Sequence, residues 1–261
     1  MSFVRSGGVN IHYEAEGSGP AVVLHTGAGG DLKIWKYAGY PPAMPGYGLI
    51  LIDQRGRGGS DRPARVEDHT MERYVEDVAA VLDDVGVASA GFWGYSNGFL
   101  VGLAFGALYP SRIRALIGTG ALGLVDLTDL PPIPDRDAFI AKVVAEGDVR
   151  ASLEGFMKEE HDRFPDEIDR NVRETDPRMG ALRRVAWRSW RGPKSVLPSI
   201  RAPVLMILGE KEDPEGATQS IVATFRDARL VTLPGQGHLS SFYRSELALP
   251  HALPFLRKHL R

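Results

Sequence analysis

"FWGYSNGF", residues 92–99, joins two segments of opposite character. Residues 87–93 ahead of it are short and mostly apolar, as in a buried strand. Residues 100–109 behind it are apolar with helical character. Gly94-Tyr95-Ser96-Asn97-Gly98 matches G-x-S-x-G. A strand that reverses abruptly into a helix can hold its turning residue in a strained conformation, with the side chain projecting above the sheet. Side chains two residues before and two after would clash, so those positions are glycine. A helix starting near Asn97 offers free N–H groups and the positive end of its dipole, both suited to an oxyanion beside the serine. The plainer alternative is a serine in a Gly-flanked turn. The strand before and the apolar helix after are what weigh against it.

Working outward, residues 9–16 alternate as a strand and the turn 17–20, "GSGP", ends it. Residues 21–25 form a short buried strand. The loop "TGAGG" (26–30) and a helix over 32–44 follow. Residues 47–53 are another strand, which runs into "DQRGRGGSDRP" (53–63), too Gly-rich for a helix. Tyr74, Val75, Val78, Val81, Leu82 and Val85 have helical spacing over 70–85, with Thr70 at the N-cap. Further strands are expected at 113–118, 203–208 and 229–233, and helices over 216–225 and most of 239–260.

Strands alternating with helices imply an α/β fold, a mostly parallel central sheet covered on both faces. From about 122 to 190 the alternation stops, and stretches such as "AFIAKVVAEG" (138–147) are helical throughout. The organisation expected is therefore a core of residues 1–121 and 191–261, with 122–190 inserted as a helical lid. Phe139, Ile140, Val143 and Val144 would share one side of a lid helix, with Lys142 and Glu146 nearer the other. Ligands of such sheets bind beyond the C-terminal strand ends, so an insertion there would lie over the site.

The 261 residues suffice for a sizeable core without staples. A net charge of −2 with interspersed signs argues against a nucleic-acid partner. The absence of cysteine excludes disulfides, thiolate catalysis and Cys-ligated zinc. The N-terminus does not read as a signal peptide, and no stretch approaches the ~20 apolar residues of a membrane span. A cytoplasmic protein acting on a small molecule, without metal or cofactor, is the expectation. "TGAGG" begins like a dinucleotide fingerprint, but Leu32 occupies the place of its third glycine.

A serine hydroxyl needs a base. Of seven histidines, His12 sits in a strand pattern, and His25 at a strand end reads as structural. His69, His161, His251 and His259 lie in polar or helical stretches. His238, in "LPGQGHLSS" after the last strand, lies at the same sheet edge as Ser96. The acid should come from "LGEKEDPEG" (208–216), which offers Glu210, Glu212 and Asp213. Such an acid would fix the histidine tautomer and stabilise the imidazolium. A solvated acidic turn is the alternative for this stretch.

"LHTGAGGDLKIW", "DQRGRGGSDRP", "GYSNG" and "PGQGH", in that order along nearly the whole chain, resemble the α/β-hydrolase superfamily. The order Ser, acid, His is that family's order. The resemblance implies Ser96 as nucleophile and His238 as general base. It implies an oxyanion hole from the N–H of Asn97 and that of Gly27 or Ala28. The loop Asp53–Ser60 would be mainly structural. Three departures stand out. Thr26 follows His25 where the family commonly has glycine, and Phe99 stands where glycine is frequent. Counting three residues from the strand-end glycine gives Glu212 as the acid. The Asp213-Pro214 pair looks more like the family's acid followed by a turn, and Asp213 is preferred.

A serine nucleophile implies acyl transfer to water from an ester, lactone, thioester or amide. It argues against epoxide hydrolases and haloalkane dehalogenases, which carry aspartate in the elbow. C–C hydrolysis, perhydrolysis, cofactor-free oxygenation and non-catalytic ligand binding remain open on the same fold. In "RRVAWRSWRG" (183–192), Arg183, Arg184 or Arg188 could meet a substrate carboxylate; the preferred expectation is that they face solvent, while Trp187 and Trp190 pack the insertion on the core.

Overall fold

The computed structural model describes residues 2–120, 131–147, 150–160, 163–213, 216 and 218–260. Eight strands form one sheet: β1 (Ser2–Ser6), β2 (Val9–Gly17), β3 (Ala21–His25), β4 (Gly48–Ile52), β5 (Ala90–Tyr95), β6 (Ile113–Thr119), β7 (Val204–Gly209) and β8 (Ala228–Leu233). Their spatial order is β1-β2-β4-β3-β5-β6-β7-β8. The pairings of β1 with β2 and β2 with β4 are antiparallel; all others are parallel. The mostly parallel α/β sheet inferred from the alternation is therefore present. β1 was missed because "SFVRS" is polar and largely exposed. It pairs with β2 through the tight turn at Gly7 and Gly8, both at positive φ.

Period-two alternation assigns successive strand residues to opposite faces. On one face Val23, Phe92, Leu116 and Met206 pack with Val75 and Val78 of α3 (Met71–Asp84), and with Val101 and Phe105 of α4 (Asn97–Leu108). On the other face Leu24, Trp93, Ile117 and Leu205 pack with Leu249 and Leu256 from the long C-terminal helix. There Trp35, Tyr40, Trp93 and Phe242 meet mostly edge to face, at 4.8–5.9 Å between centroids.

The helix expected over 32–44 is two short ones, α1 (Lys33–Tyr37) and α2 (Tyr40–Ala43). Gly39 at φ 79° breaks them apart. Thr70 does occupy the N-cap of α3, but its side chain makes no capping bond. The segment between β6 and β7 carries α5 (Arg136–Glu146), α6 (Arg150–Glu160), α7 (Asp166–Arg173) and α8 (Pro177–Ala186), as its helical spacing predicted. The proposed start of the insertion at 122 lies outside the described residues. Of the apolar set on α5, Val143 is buried but Val144 is 41% exposed. After β7 come α9 (Thr218–Val222), α10 (Ser240–Tyr243) and α11 (Ser245–His259). A break at Arg244 divides the last two, where one helix was expected. No helix among the described residues is long and apolar enough to cross a membrane.

Candidate active site

Ser96 stands between β5 and α4 at φ 53°, ψ −122°, the only non-glycine at positive φ among the described residues. The turn is locked by Ser96 N–H donating to the Thr119 carbonyl (2.9 Å) and Phe99 N–H donating to the Ser96 carbonyl (2.9 Å). Both elbow glycines are sterically required. A Cβ on Gly94 would overlap the backbone of Gly98 and Phe99, and one on Gly98 would overlap the carbonyls of His25 and Thr26. Phe99, the departure from small residues at that place, lays its ring where Gly118 of β6 has no side chain. A Cβ on Gly118 would come within 2.6 Å of that ring.

His238 lines the same cavity as Ser96, which has a volume of about 420 Å³. Its ring is held between Tyr95 (centroids 5.3 Å apart, stacked) and Phe156 of α6 (4.5 Å, tilted). The Tyr95 hydroxyl donates to the His238 carbonyl at 3.2 Å. Burial, helped by the negative charges of Glu212 and Glu160, holds the Tyr95 hydroxyl well above the usual phenol range, so it stays a donor. The carboxylate against His238 is Glu212, with Nδ1 2.8 Å from Oε1. Its side chain is 2% exposed. Its other oxygen accepts from Gly209 N–H (2.7 Å) and from the Ser241 hydroxyl (3.1 Å). Three donors on one buried carboxylate offset its desolvation and fix its orientation.

This corrects the preference for Asp213. Its carboxylate turns the other way and accepts from Thr218 N–H at 2.9 Å. A short 3-10 turn, Glu210–Glu212, follows β7 directly. That turn brings the third residue after Gly209, the one the simple count gives, back toward His238. Glu210 instead accepts from Gly235 N–H. Asp126, an acid further along the chain from β6, lies outside the described residues.

Loop 26–29 lies against the serine: a Cβ on Gly27 would stand 3.0 Å from the Ser96 Cβ. Ala28 and Gly29 line the cavity beside Asn97. Sequence reasoning missed what holds this loop. Gln54 Nε2 donates to the carbonyls of Thr26 and Gly27 (3.1 Å to the latter). Because N–H and C=O of a trans peptide point opposite ways, the N–H groups of Gly27 and Ala28 are turned away from Gln54. Arg57 and Arg183 both donate to the Ala28 carbonyl, at 2.6 and 3.3 Å. The "DQRG" loop is thus a brace for the serine's surroundings. Asp53 accepts from Leu32 N–H (2.7 Å), Gly59 N–H (2.8 Å) and pairs with His12 (2.7 Å), while Arg55 forks onto Asp77.

A family model described as "alpha/beta hydrolase fold" matches residues 20–245. The chain belongs to the α/β-hydrolase family. Among similar proteins of known structure is a hydrolase from Pseudomonas aeruginosa. It is 27% identical, with 98% of this chain and 97% of that one covered at a TM-score of 0.80. Curated relatives match over shorter stretches. Bifunctional epoxide hydrolase 2 of Mus musculus is 29% identical over 128 residues, 49% of this chain and 22% of the relative. A zearalenone hydrolase of Cladophialophora bantiana is 32% identical over 109 residues, 41% of each. The match thus spans well under half of each curated relative's length.

No other described histidine lines the cavity. His25 is fully buried, its ring stacked on Phe92, and burial pushes its pKa down to about 4. His69 is driven to about 4 by burial as well. His161 lies outside the described residues. The arginines expected in solvent are not there. Arg183 is 2% exposed, its guanidinium 5.5 Å from the Trp187 ring centre, and Arg184 and Arg188 are half-buried; all three line the cavity. Trp187 and Trp190, which follow α8, are buried in the core, as expected.

Proposed function

We propose that the protein is a serine hydrolase that cleaves an ester, lactone or related acyl bond of a small molecule through an acyl-enzyme. The observation that carries this is the strained Ser96 opening onto one cavity with a His238 already bonded to a buried carboxylate. In this reading Ser96 Oγ attacks the acyl carbon while His238 Nε2 takes its proton. Glu212 accepts from Nδ1–H and stabilises the imidazolium. The oxyanion is met by the N–H of Asn97 and of Gly27 or Ala28. The imidazolium then protonates the leaving group as its bond breaks. A water, deprotonated by the same nitrogen, releases the acid and restores the serine.

Curated relatives include an epoxide hydrolase, and the elbow residue separates the two chemistries. A carboxylate that opens an epoxide leaves an ester, which water cleaves. A serine that opened one would leave an alkyl ether, which a histidine-activated water does not cleave. Ser96 therefore favours acyl over epoxide substrates.

Residues from α5 to α8 act in this reading as a lid that excludes water and selects the substrate. Phe139, Leu153, Phe156, Phe164 and Val172 supply an apolar roof to the cavity. The test is labelling by a fluorophosphonate, with the added mass located on Ser96, together with turnover of p-nitrophenyl esters and lactones. Ser96→Ala is expected to lose about 10⁴-fold or more in kcat while folding normally. Undiminished turnover in that variant, or a label elsewhere, defeats the proposal.

A further inference from the structure

Glu160 is the last residue of α6 and only 7% exposed. Its side chain leaves the helical segment and enters the loop that carries His238. There Oε1 accepts from Leu239 N–H at 2.7 Å, and Oε2 accepts from Ser240 N–H at 3.1 Å and the Ser240 hydroxyl at 2.8 Å. Its backbone carbonyl accepts from Lys211 Nζ at 3.3 Å, next to Glu212. One lid residue is thereby tied to both sides of the His238–Glu212 pair.

The local sequence is shaped around this contact. In "GQGHLSS" the serines divide the two carboxylates: Ser240 donates to Glu160 and Ser241 to Glu212. Gly237 is not at positive φ. A Cβ there would overlap the Glu160 carboxylate, so the glycine makes room for the acid. A buried carboxylate is costly unless its bonds are made. Here they are made to the two residues that follow the histidine.

We infer that Glu160 is a positioning residue for His238, a carboxylate contributed by the lid that sets the backbone on which the imidazole is carried. The inference rests on the acyl-transfer reading for its kinetic consequence, but its geometric content stands apart from it. Glu160 does not line the cavity, so its effect falls on kcat rather than on binding of a small ester. Removing the acid leaves two buried N–H groups without an acceptor. A displacement of about 1 Å in a catalytic group costs on the order of 10²-fold.

The experiment compares Glu160→Ala, Glu160→Gln, Ser240→Ala and Gly237→Ala with the wild type. Turnover of p-nitrophenyl acetate and the low-field proton resonance of the His238–Glu212 bond are recorded, the latter assigned by its loss in Glu212→Gln. In Glu160→Ala and Gly237→Ala kcat is expected to fall by about 30- to 100-fold, with KM within about twofold and the resonance lost or broadened. Glu160→Gln, which keeps an acceptor oxygen, recovers most of both. Ser240→Ala loses less, about threefold, since both N–H bonds to Glu160 remain although the hydroxyl's bond to Glu160 and its acceptance from Gly237 N–H go. Wild-type kcat and an unchanged resonance in folded Glu160→Ala overturn the inference. If that variant does not fold, wild-type kcat and an unchanged resonance in folded Gly237→Ala overturn it. Should the wild type neither hydrolyse esters nor react with the phosphonate, the acyl-transfer reading has failed, and the resonance alone decides the positioning role.

Discussion

At Ser96 the chain holds an L-residue where glycine would be at ease, which costs about 1–3 kcal/mol. We expect Ser96→Gly to be more stable than Ser96→Ala by about 1 kcal/mol, after the larger unfolded-state entropy of glycine is set against the relieved strain. Urea midpoints of the two variants measure it, and equal midpoints would mean the turn stores no strain. The acid makes a second test. Glu212→Gln is expected to lower kcat by about 10⁴-fold, because the amide supports the wrong imidazole tautomer. Asp213→Ala should instead remove a tether on Thr218, costing about 1 kcal/mol of stability with kcat nearly unchanged. The reverse ranking would return the role to Asp213. That Ser96 and His238 would meet at one cavity was legible because each sits in a Gly-rich motif at a strand end. The choice between adjacent acids was not, since it depends on a 3-10 turn of three residues. Glu160 left no signal at all: an acid at the end of a charged helix reads as solvated until the loop it enters is seen.

At the scale of elements, β5, α4 and β6 form the unit that carries the serine. The Phe99 ring fills the space over Gly118, so neither can change alone. Gly118→Ala should cost about 1–3 kcal/mol by overpacking. Phe99→Leu, mildly destabilising by itself, should recover part of that loss in the double variant. Strictly additive effects in thermal melts would show that the two do not share the space. Strands were read correctly wherever an apolar run was bounded by turn residues. Helices were read too long where the backbone changes direction inside them, at Gly39 and at Arg244. Arg244, at φ −86° and ψ 66°, divides α10 from α11 with no proline or glycine beside it. Thr70 shows the converse, an N-cap position correctly placed whose side chain makes no cap bond.

For the molecule as a whole, pH is the informative variable. His25 and His69 are held neutral by burial, with folded pKa values of about 4 against an ordinary 6.5. Between those values the unfolded chain binds protons that the folded one refuses, so stability is full above pH 6.5 and falls as pH drops toward 4. The ceiling is roughly 3 kcal/mol for each histidine. Urea midpoints at pH 7.5 and 4.5 should show the fall, and His25→Gln should flatten it. A flat profile in the wild type would mean that these rings carry protons inside the fold. Most of the architecture was legible because the alternation of strands and helices is global, whereas the braces Gln54 and Arg183 depend on which loops happen to meet. The helical segment leaves after β6 and returns in β7, which are neighbours in the sheet. Sheet register therefore places few demands on what is inserted between them, and roofs could in principle be exchanged between family members like interchangeable parts. Here the part is not neutral, because it brings one of the carboxylates that the histidine loop is bonded to. A graft from a relative would have to carry an acid at the place of Glu160, or be matched to a loop that lacks Gly237 and Ser240; recombination between such lineages would succeed in compatible pairs rather than freely.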